Sequence, residues 1–87
     1  MTKEEIGTSV SKFISKTFLF DETKKVGENV SLLGTGVIDS TGVLELISFL
    51  ESTFSVKFAD NELVGDNFDS IDKIQNFMHE KLSRRNN

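Results

Sequence analysis

The chain has 87 residues, a net charge of −4 and no cysteine. That length makes one small domain with a modest core, too short to wall a buried catalytic cleft. The acidic balance argues against nucleic acid as a partner, because phosphate binding needs a basic face. Any thiol chemistry has to come from an attached group, and neither a disulfide framework nor a thiolate site is available.

Met1-Thr2-Lys3-Glu4-Glu5 leads directly into mixed polar and apolar sequence, with no signal-peptide apolar region and no long apolar run further on. A cytoplasmic protein without membrane insertion, monomeric by default, is the expectation. From Thr2, the apolar residues Ile6, Val10, Phe13 and Ile14, with Thr17, recur at helical spacing and predict a first helix to about Thr17. Leu19 and Phe20 are expected to close its apolar face. The polar stretch Asp21–Asn29 breaks the pattern, so a long loop runs to Asp39, with Val30, Leu32, Leu33, Val37 and Ile38 available to pin it.

From Ser40, Val43, Leu46, Ile47, Leu50 and Phe54 form one continuous stripe on a second helix. Thr41, Leu44, Glu45, Ser48 and Glu51 then share the outer face, an acidic strip with one exposed leucine. Asp60-Asn61-Glu62-Leu63 begins a short third helix ending near Gly65. Asp69 or Ser70 caps a fourth, which carries Ile71, Ile74, Phe77, Met78 and Leu82. Ser55-Val56-Lys57-Phe58 alternates but has no partner strand, so the expected class is all-α: a four-helix bundle with a long first loop. Residues 1–83 form the domain and 84–87 a frayed tail.

The stretch Gly34-Thr35-Gly36-Val37-Ile38-Asp39-Ser40 is the most informative for function. Asp39 is a favoured N-cap whose carboxylate accepts from the first free N–H groups, and the glycines let the chain swing into the helix. Ser40 then lies in the first turn with its hydroxyl outward. An anion esterified to it would sit at the positive end of the helix dipole, which suits a phosphodiester. On the Asp-Ser pair alone, a plain helix cap is the commoner arrangement.

Gly36, Asp39, Ser40, Glu45, Leu50, Glu51 and Phe54, followed by Val56–Asp60 and Asn67–Ile74, resemble in register the acyl carrier and peptidyl carrier proteins over most of the chain. The resemblance implies a four-helix bundle of acyl-carrier type, no enzymatic activity of its own, and 4′-phosphopantetheine attached to Ser40 from coenzyme A by a phosphopantetheinyl transferase. It also implies that an acyl- or aminoacyl-activating ligase and downstream transferases or synthases dock on the second helix, through Asp39, Thr41, Leu44, Glu45, Ser48 and Glu51. Thr41 stands where the family usually has leucine, and Ala59 where it often has proline. Fatty acyl, polyketide, amino acid and D-alanyl carriers share these motifs, so the cargo stays open. An unmodified helical interaction module is the alternative from a different class.

Two other chemistries fail on the residues. A hydrolase elbow needs Gly-x-Ser-x-Gly, but Ile38 stands at the first glycine, and the sole histidine, His79, is expected on the exposed side of the last helix near its frayed end, where it is no base for Ser40. A calcium loop starting at Asp60 would put Val64, Phe68 and Ile71 at the fifth, ninth and twelfth positions, where oxygen ligands are required.

Overall fold

The computed structural model describes residues 2–21 and 23–85. Three α-helices carry the architecture, α1 (Lys3–Phe18), α2 (Ser40–Phe54) and α3 (Ile71–Arg85), and no strand occurs among the described residues. The all-α expectation therefore holds. The short third helix does not: Asp60–Glu62 and Gly65–Asn67 are two separate 3-10 turns, and Leu63 lies outside both. Neither turn buries a residue, so no apolar face was available to extend either into an α-helix.

α1 starts with a reciprocal cap. Glu5 N–H donates to Thr2 Oγ1 at 3.1 Å and Thr2 N–H to Glu5 Oε1 at 3.0 Å, so two otherwise free donors are satisfied at once. Ile6, Val10 and Ile14 are fully buried and meet α3, whose Ile74 and Met78 are equally buried. Leu46, Leu50 and Phe54 bring α2 into the same core, with Val43 and Ile47 half-buried at its margin. Phe13 stacks on Phe49 at 4.1 Å between centroids, which joins α1 to α2.

One apolar expectation fails at the end of α1. Leu19 is half-buried, but Phe20 is 87% exposed and closes no apolar face. The chain reverses there: Asp21 N–H reaches back to the Ser15 carbonyl, which takes Phe20 into a left-handed conformation with φ 56° and swings its ring out. Inside that reversal, the buried Ser15 donates from Oγ to the Lys24 carbonyl and pins the first part of the loop.

The far side of the core is aromatic. Phe68 is buried, and Phe58, Phe68 and Phe77 form a triangle with centroids 5.6 to 5.9 Å apart. Lys81 lies 5.4 Å from the Phe58 ring and pairs with Glu62 at 2.9 Å. Glu62 also accepts the Ala59 N–H. That bond and the Lys81 contact hold its carboxyl below the usual glutamate range.

Ser70, and not Asp69, caps α3: its Oγ accepts the Lys73 N–H at 3.1 Å. The helix continues through Arg85, beyond the expected start of the tail at residue 84, while the other two tail positions, 86 and 87, lie outside the described residues.

Candidate functional site

Ser40 is the first residue of α2 and is exposed. The chain reaches it through a loop held at several points. Leu32 N–H donates to the Asp69 carbonyl at 2.6 Å, Ile38 N–H to the Leu32 carbonyl at 3.0 Å, and Asp72 N–H to the Glu28 carbonyl at 2.9 Å. The Asp69 carboxylate accepts from Ser31 Oγ and from the Leu33 N–H. The latter bond is its strongest influence, and together they hold its carboxyl below the usual aspartate range.

Leu32 and Ile38 are buried, Val30 and Val37 half-buried, but Leu33 is 38% exposed, so of the five expected pins it is held by its backbone instead of its side chain. Gly36 has φ 79°, a conformation that a side chain would strain, and makes the turn just ahead of the cap.

The cap itself is as expected. Asp39 is extended and its Oδ1 accepts the Gly42 N–H at 2.7 Å, while its carbonyl accepts the Val43 N–H at 3.0 Å. The N–H groups of Ser40 and Thr41 have no partner among the described residues, as the first donors of a helix do. Gly42 is needed for space: a Cβ there would stand 2.9 Å from Phe18 Cε1 and 3.0 Å from Ile38 Cγ2. The first turn of α2 is thus pressed against α1 and the loop, and the Ser40 hydroxyl is left outward beside free donors. An esterified phosphate fits that geometry, since two N–H groups and the helix dipole face the position it would take.

On the outer face, Thr41, Glu45 and Ser48 are exposed in one stripe and Leu44 is 65% exposed. They line a shallow groove of about 540 Å³ together with Phe13, Phe49, Ser52 and Thr53. Five of the six expected docking residues, Asp39, Thr41, Leu44, Glu45 and Ser48, are therefore exposed beside Ser40. The sixth is engaged: Glu51 is half-buried, and its Oε2 accepts the Phe58 N–H at 3.1 Å, which ties the end of α2 to the following link. Glu51 neighbours Ser48 on the helix surface, but that hydrogen bond holds its carboxylate toward the link, and it does not line the groove.

Sequence reasoning missed the Phe13–Phe49 pair that walls this groove, although both lie on helices. Phe49 falls between the core positions Leu46 and Leu50 and the outer stripe, where periodicity assigns no face. It also missed Asp69 as the anchor of the loop. His79 is half-buried on α3.

No helix among the described residues is long and apolar enough to cross a membrane. No protein-family model matches the chain. Among curated relatives, the D-alanyl carrier proteins of Streptococcus pyogenes serotype M5 (strain Manfredo), serotype M49 (strain NZ131) and serotype M1 are each 35% identical to it over 69 residues, which covers 79% of this chain and 85% of each relative. That family implies a phosphopantetheine prosthetic group, a transferase that attaches it and a ligase that loads it, and its members are not themselves enzymes. With that similarity spanning most of both chains, this chain belongs to the carrier protein family.

Proposed function

We propose that this chain carries a small aminoacyl group, D-alanyl in the first instance, as a thioester on a 4′-phosphopantetheine arm at Ser40. The observation that carries the reading is the placement of an exposed Ser40 on the first residue of α2, capped by Asp39 and backed by the unpaired N–H groups of Ser40 and Thr41. The name of the relatives supports D-alanyl as the cargo over fatty acyl and polyketide groups.

In the attachment step Ser40 Oγ forms the new O–P bond to the phosphopantetheinyl phosphorus of coenzyme A. The P–O bond to the nucleotide breaks, 3′,5′-ADP leaves, and the hydroxyl proton goes to a base on the transferase. The chain's own part is to hold the hydroxyl exposed and to stabilise the resulting phosphodiester with two backbone donors and the helix dipole. The arm then supplies the thiol that the chain lacks. Asp39, Thr41, Leu44, Glu45 and Ser48 present the address that the transferase and the ligase read.

Intact mass after incubation with coenzyme A and a phosphopantetheinyl transferase tests the attachment. One group is expected on the wild type and none on Ser40→Ala. Loading of the product by a D-alanine-activating ligase, compared with fatty acyl and L-amino acid ligases, tests the cargo. A folded protein that several transferases leave unmodified would return the chain to the class of unmodified helical interaction modules.

A further inference from the structure

The groove on the outer face of α2 is polar with almost no charge. Thr41, Ser48, Ser52 and Thr53 are exposed along it, their hydroxyls bonded to nothing among the described residues, and Glu45 is the one charged side chain in its lining. Serine and threonine are weak helix formers, and a helix surface built for stability alone favours glutamate or lysine. Between the hydroxyls lies apolar surface: Leu44 is 65% exposed, and Phe13 from α1 stacks on Phe49 at 4.1 Å to form one wall. Apolar contact with a hydroxyl at nearly every turn suits an uncharged ligand of alternating amide and hydrocarbon units, which describes the pantetheine part of the arm.

The place and length of the groove point the same way. Thr41, at its head, is the residue after Ser40, and Thr53, at its far end, lies about 18 Å further along the helix. From Ser40 Oγ to the thiol of a phosphopantetheine arm there are about fourteen bonds, which span about 17 Å at the rise of an extended backbone, about 1.2 Å per bond. An arm esterified to Ser40 and laid along α2 therefore ends between Phe49 and Thr53. Its geminal methyl pair, about 5 Å from Oγ, comes level with Leu44 one helical turn on, and its two amides pass Glu45 and Ser48. A tight fit is not needed. A short flexible tether gives an effective concentration in the millimolar range, so a contact of millimolar affinity is already about half occupied.

We propose that the phosphopantetheine arm rests in this groove between α1 and α2, with its methyl pair on Leu44 and its thiol end against Phe49 and Ser52, a proposal that rests on the attachment reading above. The transferase meets this face before the arm is there. The ligase meets it afterwards, and by docking on the same face it lifts the arm out of the groove.

The test follows isotopically labelled protein by nuclear magnetic resonance before and after modification with coenzyme A and a phosphopantetheinyl transferase. In the modified wild type, Overhauser contacts are expected from the methyl pair to Leu44 and from the methylenes next to the thiol to the Phe49 ring, with amide shift changes continuing to Ser52. Because the chain has no cysteine, alkylation by iodoacetamide reports the arm thiol alone. It is expected to be about threefold slower in the modified wild type than in modified Leu44→Gln and Ser48→Gln. Both positions are exposed, and glutamine suits the helix there while spoiling the groove.

A wild type that no transferase modifies removes the attachment reading and this proposal with it. In a modified wild type, shift changes confined to the first turn of α2, arm contacts to a different face, or equal alkylation rates in all three proteins would overturn the resting place and leave the attachment reading standing.

Discussion

Asp69 and Ser31 are 38 residues apart in sequence, yet the Ser31 hydroxyl donates to both carboxylate oxygens of Asp69 at 2.8 and 3.0 Å. The same carboxylate accepts the Leu33 N–H at 3.0 Å, and Ser31 Oγ in turn accepts the Gly34 N–H at 2.9 Å. A single side chain at the entry to α3 thereby fixes the turn that leads through Gly36 to the cap of α2. The presentation of Ser40 depends on this long-range contact as much as on its own helix.

Asp69→Ala is accordingly expected to destabilise the protein by about 1–3 kcal/mol, because it removes a charged acceptor and leaves the Leu33 N–H without a partner. Hydrogen exchange should show the loss of protection concentrated at Leu33 and Gly34 instead of in the helices. The carboxyl's lowered pKa fixes the sign of the pH dependence. The unfolded chain binds a proton at a higher pH than the folded one, so this contribution is fully present above the ordinary aspartate range. It is lost as pH falls below about 4 and through the lowered folded value. Urea titrations from neutral to acid pH should show a shallower acid slope in Asp69→Ala than in wild type.

Core and surface substitutions separate cleanly at Phe54. It is 7% exposed at the end of α2, so Phe54→Ala should cost about 3–5 kcal/mol from lost burial and the cavity left behind. Total stability for a chain of this size is about 4–13 kcal/mol, so the variant should be partly unfolded at moderate temperature. A thermal midpoint within about 4 °C of wild type would show that the ring contributes little to the core.

Most of the architecture was legible from periodicity and capping chemistry. Ile6, Val10 and Ile14, then Leu46, Leu50 and Phe54, then Ile71, Ile74 and Met78 are spaced for helices, and all are buried. Asp39 announced the start of α2 and the structure shows it bonded to Gly42. Local rules failed where a distant partner decides. Asp69 is as good a cap by type as Ser70, and it is withdrawn from that role because Ser31 and Leu33 come to it from the first loop. Glu51 has the spacing of a surface charge, but a backbone donor from Phe58 claims it. The apolar character of Phe20 says inside, while the reversal of the backbone at Asp21 puts it outside.

The two acidic positions on α2 consequently differ in what a charge reversal does. Glu45 is exposed and accepts no hydrogen bond among the described residues, so Glu45→Lys should change stability by less than roughly 0.5 kcal/mol while slowing modification or loading at low salt. Glu51→Lys also removes the acceptor for the Phe58 N–H and should cost about 1–3 kcal/mol. Denaturant midpoints and partner kinetics measured on both variants distinguish the cases. Equal stability losses would mean that the Phe58 bond adds nothing, and an unchanged partner rate for Glu45→Lys would remove it from the docking face.

Thr41 lies next to Ser40, exposed at the head of the groove formed with Leu44, Phe13 and Phe49. A leucine there would extend the apolar wall of that groove toward the attachment point, whereas the threonine offers a small, branched, polar surface. Burying a leucine side chain is worth about 1.5–3 kcal/mol, so its absence lowers affinity for a transferase with an apolar pocket by about tenfold or more. Thr41→Leu should therefore raise the efficiency with which a transferase of the fatty-acid type modifies Ser40. The fold should be unaffected, since the side chain points to solvent. Steady-state modification kinetics at equal folded concentration check this. An unchanged or lower kcat/KM in the leucine variant would show that Thr41 does not limit recognition, and a gain confined to KM would place the whole effect in docking.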